Sequence, residues 1–264
     1  MTPADPPVYR LFAIRYAERD GRRGEHFYGP APRPDEPMPM AYFVWLAVSD
    51  DTSVVIDAGF TEATAARRGR TWLASPTDTL AALGVDAASV PYLVLTHLHY
   101  DHTGNIGAFP AARFVIQERE MAFWTGRYAC RGANPTLVEI DDISLLATIN
   151  FDGRVHWVDG EAEVVPGITV HRVGGHTAGM QIVRVRTEQG FAVVASDASH
   201  FYANLDEDRP YAIVHTLPEM HLAFDTIRRL ADDPSLIVAG HDPEVMARYP
   251  PASASLAGRA VRVA

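Results

Sequence analysis

The chain has 264 residues, 47% of them apolar, enough for a full core in one large domain or two small ones. Its net charge of -10, with no run of Lys or Arg, argues against a nucleic-acid backbone as partner and fits a small neutral or uncharged substrate. No stretch has the apolar length to span a bilayer, residues 1–7 are proline-rich and acidic rather than a basic leader, and the single Cys130 excludes an intrachain disulfide, so a cytoplasmic location is the default expectation.

In chain order, β-like runs fall at 9–16, 42–48 and 54–56, and the proline-rich stretch 29–39 between the first two reads as an extended loop. A helix is signalled at Ser75, an N-cap followed by Pro76 at the first helical position and Asp78 in the first turn, with Gly84 as terminator. Further strands are predicted at 92–95, 113–116, 168–173, 181–185, 191–195 and 236–239. Residues 121–142 show few periodic cues and read as a helix end plus a loop, whose Phe123, Trp124 and Tyr128 can wall a pocket or cover a sheet edge. A second helix opens at Thr216, with Glu219 as its capping-box partner and Met220, Phe224, Ile227 and Leu230 along its apolar face. The sum is a sheet-rich α/β chain, with a faint likeness between "VVIDAGF" from Val54 and "AVVASDASHF" from Ala192 hinting at two similar halves.

The densest chemistry lies in "THLHYDHTGN", where His97, His99, Asp101 and His102 follow the apolar run 92–95. Positions two apart in an extended segment point the same way, so His97 and His99 converge on one point, and a turn toward Gly104 swings Asp101 and His102 to a neighbouring one. Neutral imidazole and carboxylate suit zinc, so the segment can feed two adjacent ions but can complete neither. Three further metal-capable side chains follow apolar strands in small-residue turns: His176 in "GGHTAG", Asp197 in "SDAS" and His241 in "GHD".

Together with "VVIDAGF" and "AGHDP", these motifs resemble the metallo-β-lactamase-fold hydrolases over nearly the whole chain, 1–264, read as one domain. The resemblance implies an αββα sandwich, two mixed β-sheets flanked by helices, with a two-metal site at one edge. It implies that His97, His99 and His176 hold the first metal, that Asp101, His102 and His241 hold the second, and that Asp197 bridges them. Asp57 matches a position that orients a ligand imidazole, although capping a turn would explain it equally well. The metals expected are two divalent ions per chain, zinc first, with manganese, iron or cobalt as alternatives. Such a pair makes a bridging water hydroxide at neutral pH and polarises a carbonyl, so carbonyl hydrolysis is the natural reaction, with Asp101 placed to carry the proton to the leaving group.

Within that family the chain is most similar to the quorum-quenching lactonases that open N-acyl homoserine lactones. Those enzymes carry a substrate-contacting tyrosine three residues after the bridging aspartate. Here that offset holds His200, with Tyr202 two further on, so either side chain could take the contact, or the substrate could be another lactone, ester or amide. Thioesterases and β-lactamases of the fold are alternatives, as is a non-catalytic metal- or ligand-binding member. Nucleases of the fold would need a basic channel, and diiron oxidoreductases place a glutamate where His99 stands. No nucleic-acid or membrane partner is expected, and a homodimer stays open. His26, His156, His171, His215 and His221 show no ligand context, although His215 and His221 could line the pocket.

Overall fold

The structure is a computed structural model and describes residues 6–264, so the reading of residues 1–7 falls largely outside the described residues. Residues 10–158 supply β1 (Arg10–Arg19), β2 (Met40–Val48), β3 (Ser53–Ile56), β4 (Thr71–Trp72), β5 (Tyr92–Val94), β6 (Arg113–Gln117) and β7 (Val155–Val158). Residues 161–262 supply β8 (Glu161–Val165), β9 (Ile168–Arg172), β10 (Gln181–Thr187), β11 (Gly190–Ser196), β12 (Ile237–Ala239) and β13 (Ala260–Arg262). Helices α1 (Glu62–Arg68), α2 (Pro76–Ala82), α3 (Tyr100–Thr103), α4 (Glu118–Trp124), α5 (Ile140–Phe151), α6 (Tyr202–Asp206), α7 (Leu217–Leu230) and α8 (Val245–Arg248) are interspersed.

One sheet runs β13-β1-β2-β3-β5-β6-β7, with β4 against β1, and the other runs β12-β11-β10-β9-β8. Both are mixed: β3, β5, β6 and β7 are parallel neighbours, as are β11 and β12, and the remaining pairs are antiparallel. The alternation of β2 shows how the layers are specified. Phe43, Trp45 and Ala47 face an inter-sheet core with Val170, Val183 and Val194, whereas Tyr42, Val44 and Leu46 face the outer core beneath Leu146 and Ile149 of α5. On the opposite flank, Met220, Phe224 and Ile227 of α7 cover Ile182 and Val193. This is the αββα arrangement implied by the motifs.

Besides the two-residue β4, three strands are not predicted from the sequence. β7, β8 and β13 end their sheets, and β7 and β8 are partly exposed along their length, so their polar residues blur any apolar run. The helix α5 is also missing from that reading, because only Leu146 and Ile149 are buried while Ile140 and Phe151 are 72% and 91% exposed. The Ser75 cap forms as expected, its Oγ accepting the Asp78 N–H at 3.3 Å. The Thr216 capping box does not form. Its hydroxyl donates instead to Glu219, which accepts the Gly175 N–H at 3.2 Å and so ties α7 to the turn carrying His176.

The sheets bring the strand ends close together at one edge. There Gly240 N–H donates to Ser199 O at 2.9 Å, and a Cβ on Gly240 would lie 2.4 Å from Ser196 O. Among the described residues no helix is long and apolar enough to cross a membrane. Since the clash at Gly240 is with the Ser196 backbone and not with a flexible side chain, Gly240→Ala should lower stability by about 2 kcal/mol, read as a lower urea midpoint. An unchanged midpoint would mean that the two turns are not held in contact.

Candidate metal centre

His97 and His99 follow β5, Asp101 and His102 open α3, His176 follows β9, Asp197 follows β11 and His241 follows β12. All seven are buried. One donor atom from each of His97, His99, His176 and Asp197 lies within 4.8 Å of the others, and Asp101, His102 and His241 form a second such group. Asp197 divides its oxygens between them. Its Oδ2 faces His176 Nε2 at 3.2 Å and His97 Nε2 at 3.6 Å, and its Oδ1 faces His241 Nε2 at 2.9 Å and His102 Nε2 at 3.2 Å.

The tautomers are set from behind. His102 Nδ1 donates to Asp57 Oδ2 at 2.7 Å, His176 Nδ1 to Ile213 O at 2.9 Å, His241 Nδ1 to Ala41 O at 2.8 Å and His97 Nδ1 to Thr96 Oγ1 at 3.2 Å. Each bond occupies Nδ1 and turns Nε2 into the cluster. His97 Nε2 and His102 Nε2 are buried and make no hydrogen bond among the described residues, and His99 Nδ1 approaches His176 Nε2 to 3.0 Å. Burial, reinforced by the neighbouring imidazoles, holds His97 and His99 well below the usual histidine range, so both present lone pairs. For His102 the same burial is outweighed by Asp197, Asp57 and Asp101, which push it up. Converging imidazoles, carboxylates on either side and orphaned buried nitrogens fit divalent metal ions.

Asp57 is fully buried, and besides His102 its carboxylate accepts Thr96 N–H and Thr96 Oγ1–H, each at 2.7 Å. It therefore orients a cluster histidine and does more than cap a turn. His200 also joins the cluster, its Nε2 lying 3.0 Å from Asp197 Oδ2, and burial drops its pKa to about 3. Tyr202 does not. Its ring packs in the inter-sheet core beneath Arg248, and its hydroxyl is buried without a partner among the described residues. The reason is local: α6 starts at Tyr202 and turns the side chain away from the strand end.

Two cavities flank the cluster. One, of about 270 Å³, exposes Asp101, His200 and His241 and is walled by Tyr42, Tyr211 and three arginines. The other, of about 300 Å³, is lined by Phe123, Trp124, Tyr128 and His215, so the aromatic loop does wall a pocket. His221 lies elsewhere, paired with Asp208.

Two residues that pattern reading passed over matter here. Glu120 looks like an ordinary acid in the first turn of α4, yet it is fully buried. Its Oε1 accepts Leu98 N–H at 3.0 Å and Trp124 Nε1–H at 2.8 Å, and its Oε2 accepts Thr177 Oγ1–H at 2.7 Å and Gly179 N–H at 2.8 Å. It thereby joins the His97–His99 segment to the His176 turn. Tyr211 stacks on His200 with centroids 3.4 Å apart and planes 7° from parallel. Burial pushes its phenol up against the pull of Arg19, so it remains a donor. Nothing in the flanking "RPYAIV" marks either role.

The chain belongs to the metallo-beta-lactamase superfamily, whose family model matches residues 37–241. Its relatives include the N-acyl homoserine lactonase AiiA of Bacillus thuringiensis subsp. kurstaki, 30% identical over 172 residues, covering 62% of this chain and 61% of that protein. The N-acyl homoserine lactonase AiiB of Agrobacterium fabrum is 33% identical over 175 residues, covering 64% and 62%. The matched segment thus spans less than two thirds of those relatives. In fold, a solved quorum-quenching N-acyl homoserine lactone lactonase is similar with a TM-score of 0.70 at 21% identity, covering 91% of this chain and 95% of that one.

Because Glu120→Ala strands four buried donors, it should cost about 3 kcal/mol or more in unfolding free energy. Chemical denaturation checks this, and a loss below about 1 kcal/mol would show that the two segments are held by other contacts.

Proposed function

We propose that this chain is a metal-dependent hydrolase that opens a lactone or related cyclic ester, with two divalent metal ions, zinc first, held by His97, His99, His176, Asp101, His102, His241 and Asp197. The observation that carries the reading is Asp197, whose two carboxylate oxygens serve the two histidine groups separately. The similarity to named lactonases supports the substrate class. When bound, such an ion pair supplies an acidified water and a Lewis acid for a carbonyl.

The protein's own contribution is orientation and proton handling. Asp57, Ile213 O, Ala41 O and Thr96 fix which nitrogen His102, His176, His241 and His97 offer, so most of the donor set is formed before anything binds. Asp101 lies on the floor of the arginine-lined cavity, its Oδ2 3.7 Å from His241 Nε2 and 3.8 Å from His102 Nε2, and is placed to pass a proton to the departing alkoxide. His200 contacts Asp197 and so steadies that carboxylate, while Tyr211, stacked upon it, keeps a phenolic donor on the cavity wall.

Purified protein should hold two equivalents of divalent metal, and a chelator should abolish lactone opening in a panel of lactones, esters, lactams and thioesters. A single tightly held ion with no turnover would favour a binding protein instead. In Asp101→Asn, kcat should fall about 100-fold with the metals still bound, whereas full activity with full metal content would remove the proton role.

A further inference from the structure

The arginines of the first cavity are not accounted for by the fold or by the metal centre. Arg19 ends β1, Arg68 ends α1, and Arg70 follows the left-handed Gly69 that terminates α1. Arg68 is committed to Glu139 at 2.9 Å and Arg19 to Glu25 at 3.0 Å. Arg70 has no carboxylate partner among the described residues. Its Nε donates to Tyr100 Oη at 3.2 Å and its Nη1 to Arg68 O at 2.9 Å, which fixes the guanidinium of this cavity-lining residue and leaves Nη2 without a hydrogen bond among the described residues. The acidic side chains lining this cavity are Asp101 and Asp197, both turned to the histidines of the metal centre. A half-buried guanidinium held in place without an anion is a receptor for one, and its planar fork matches a carboxylate.

Resting on the lactonase reading above, we infer that the substrate carries a carboxylate in addition to its scissile carbonyl, seated against Arg70 with Arg19 on the same wall. The overall charge of -10 pointed to a neutral substrate, but the field inside a small cavity is set by the groups that line it. A volume of about 270 Å³ accommodates a lactone ring with a short acid arm.

The test uses the metal-loaded protein with γ- and δ-lactones bearing a ring carboxylate, each compared with its matched carboxamide. Wild type should favour the carboxylate by at least tenfold in kcat/KM. In Arg70→Met that ratio should fall to within about threefold of one, mainly through a raised KM for the carboxylate, and Arg19→Met should reduce it by less. Opening of both members at equal rates by wild type would overturn this inference and leave the lactonase reading standing. A preference that survives in both arginine variants would also overturn it. Opening of neither member, with metal bound, would overturn the lactonase reading and this inference with it. The wild-type ratio is decisive even if a variant fails to fold.

Discussion

The carboxylate of Asp57 is the constraint from which the edge of the molecule that carries the histidine cluster is organised. It sits at the end of β3 in a left-handed backbone conformation, φ 60°, which a non-glycine residue adopts only when its surroundings enforce it. What enforces it is the set of partners that this conformation satisfies: the Thr96 amide, the Thr96 hydroxyl and His102 Nδ1, with Ser196 Oγ 3.4 Å away. Those partners come from the ends of β5 and β11 and from α3. One buried anion therefore registers three strand ends and aims one imidazole, and its burial is tolerable because each oxygen is occupied.

Glu120 does comparable work on the other side of the centre. It joins the backbone between His97 and His99 to the turn that carries His176, and Glu219 then ties that same turn to α7. The centre is thus braced from both flanks by buried or half-buried carboxylates that never face it. Preorganisation of this kind removes the reorganisation that a set of loop histidines would otherwise undergo on binding metal.

Much of this was legible in the sequence, for a physical reason. Metal-capable residues are limited to a few types, and a strand followed by a small-residue turn is a local pattern, so His97, His99, Asp101, His102, His176, Asp197 and His241 announce themselves. The buried central strands are equally plain, since residues 42–48 and 54–56 have no polar face to hide. The edges were not legible, because an edge strand such as β8 keeps exposed polar residues, nor was α5, whose apolar surface is largely turned to solvent. Long-range partners were invisible for another reason. Glu120 and Arg70 look like surface charges within their own segments, and only tertiary packing makes one a buried acceptor of four hydrogen bonds and the other a fixed cation on a cavity wall. The choice left open between His200 and Tyr202 has the same origin: both lie within five residues of Asp197, and only the start of α6 at Tyr202, which directs that ring into the core, separates their surroundings.

The two cavities divide the space above the centre by chemistry. His99, His176, Leu137 and Ile213 line both, so they meet over the cluster and not at a distance from it. One side offers mainly aromatic surface from Phe123, Trp124 and Tyr128, with Arg131 also on its lining, and the other offers guanidinium and phenol groups from Arg19, Arg70 and Tyr211. On the proposed reading, a molecule whose carbonyl sits between them would have its apolar portion and its anionic portion sorted in advance, because reversing it would desolvate the anion against the indole and leave Arg70 facing hydrocarbon. On that reading, orientation at the reacting carbon would then be fixed by groups that take no part in breaking the bond, and the buried cluster could remain rigid while the exposed walls set specificity.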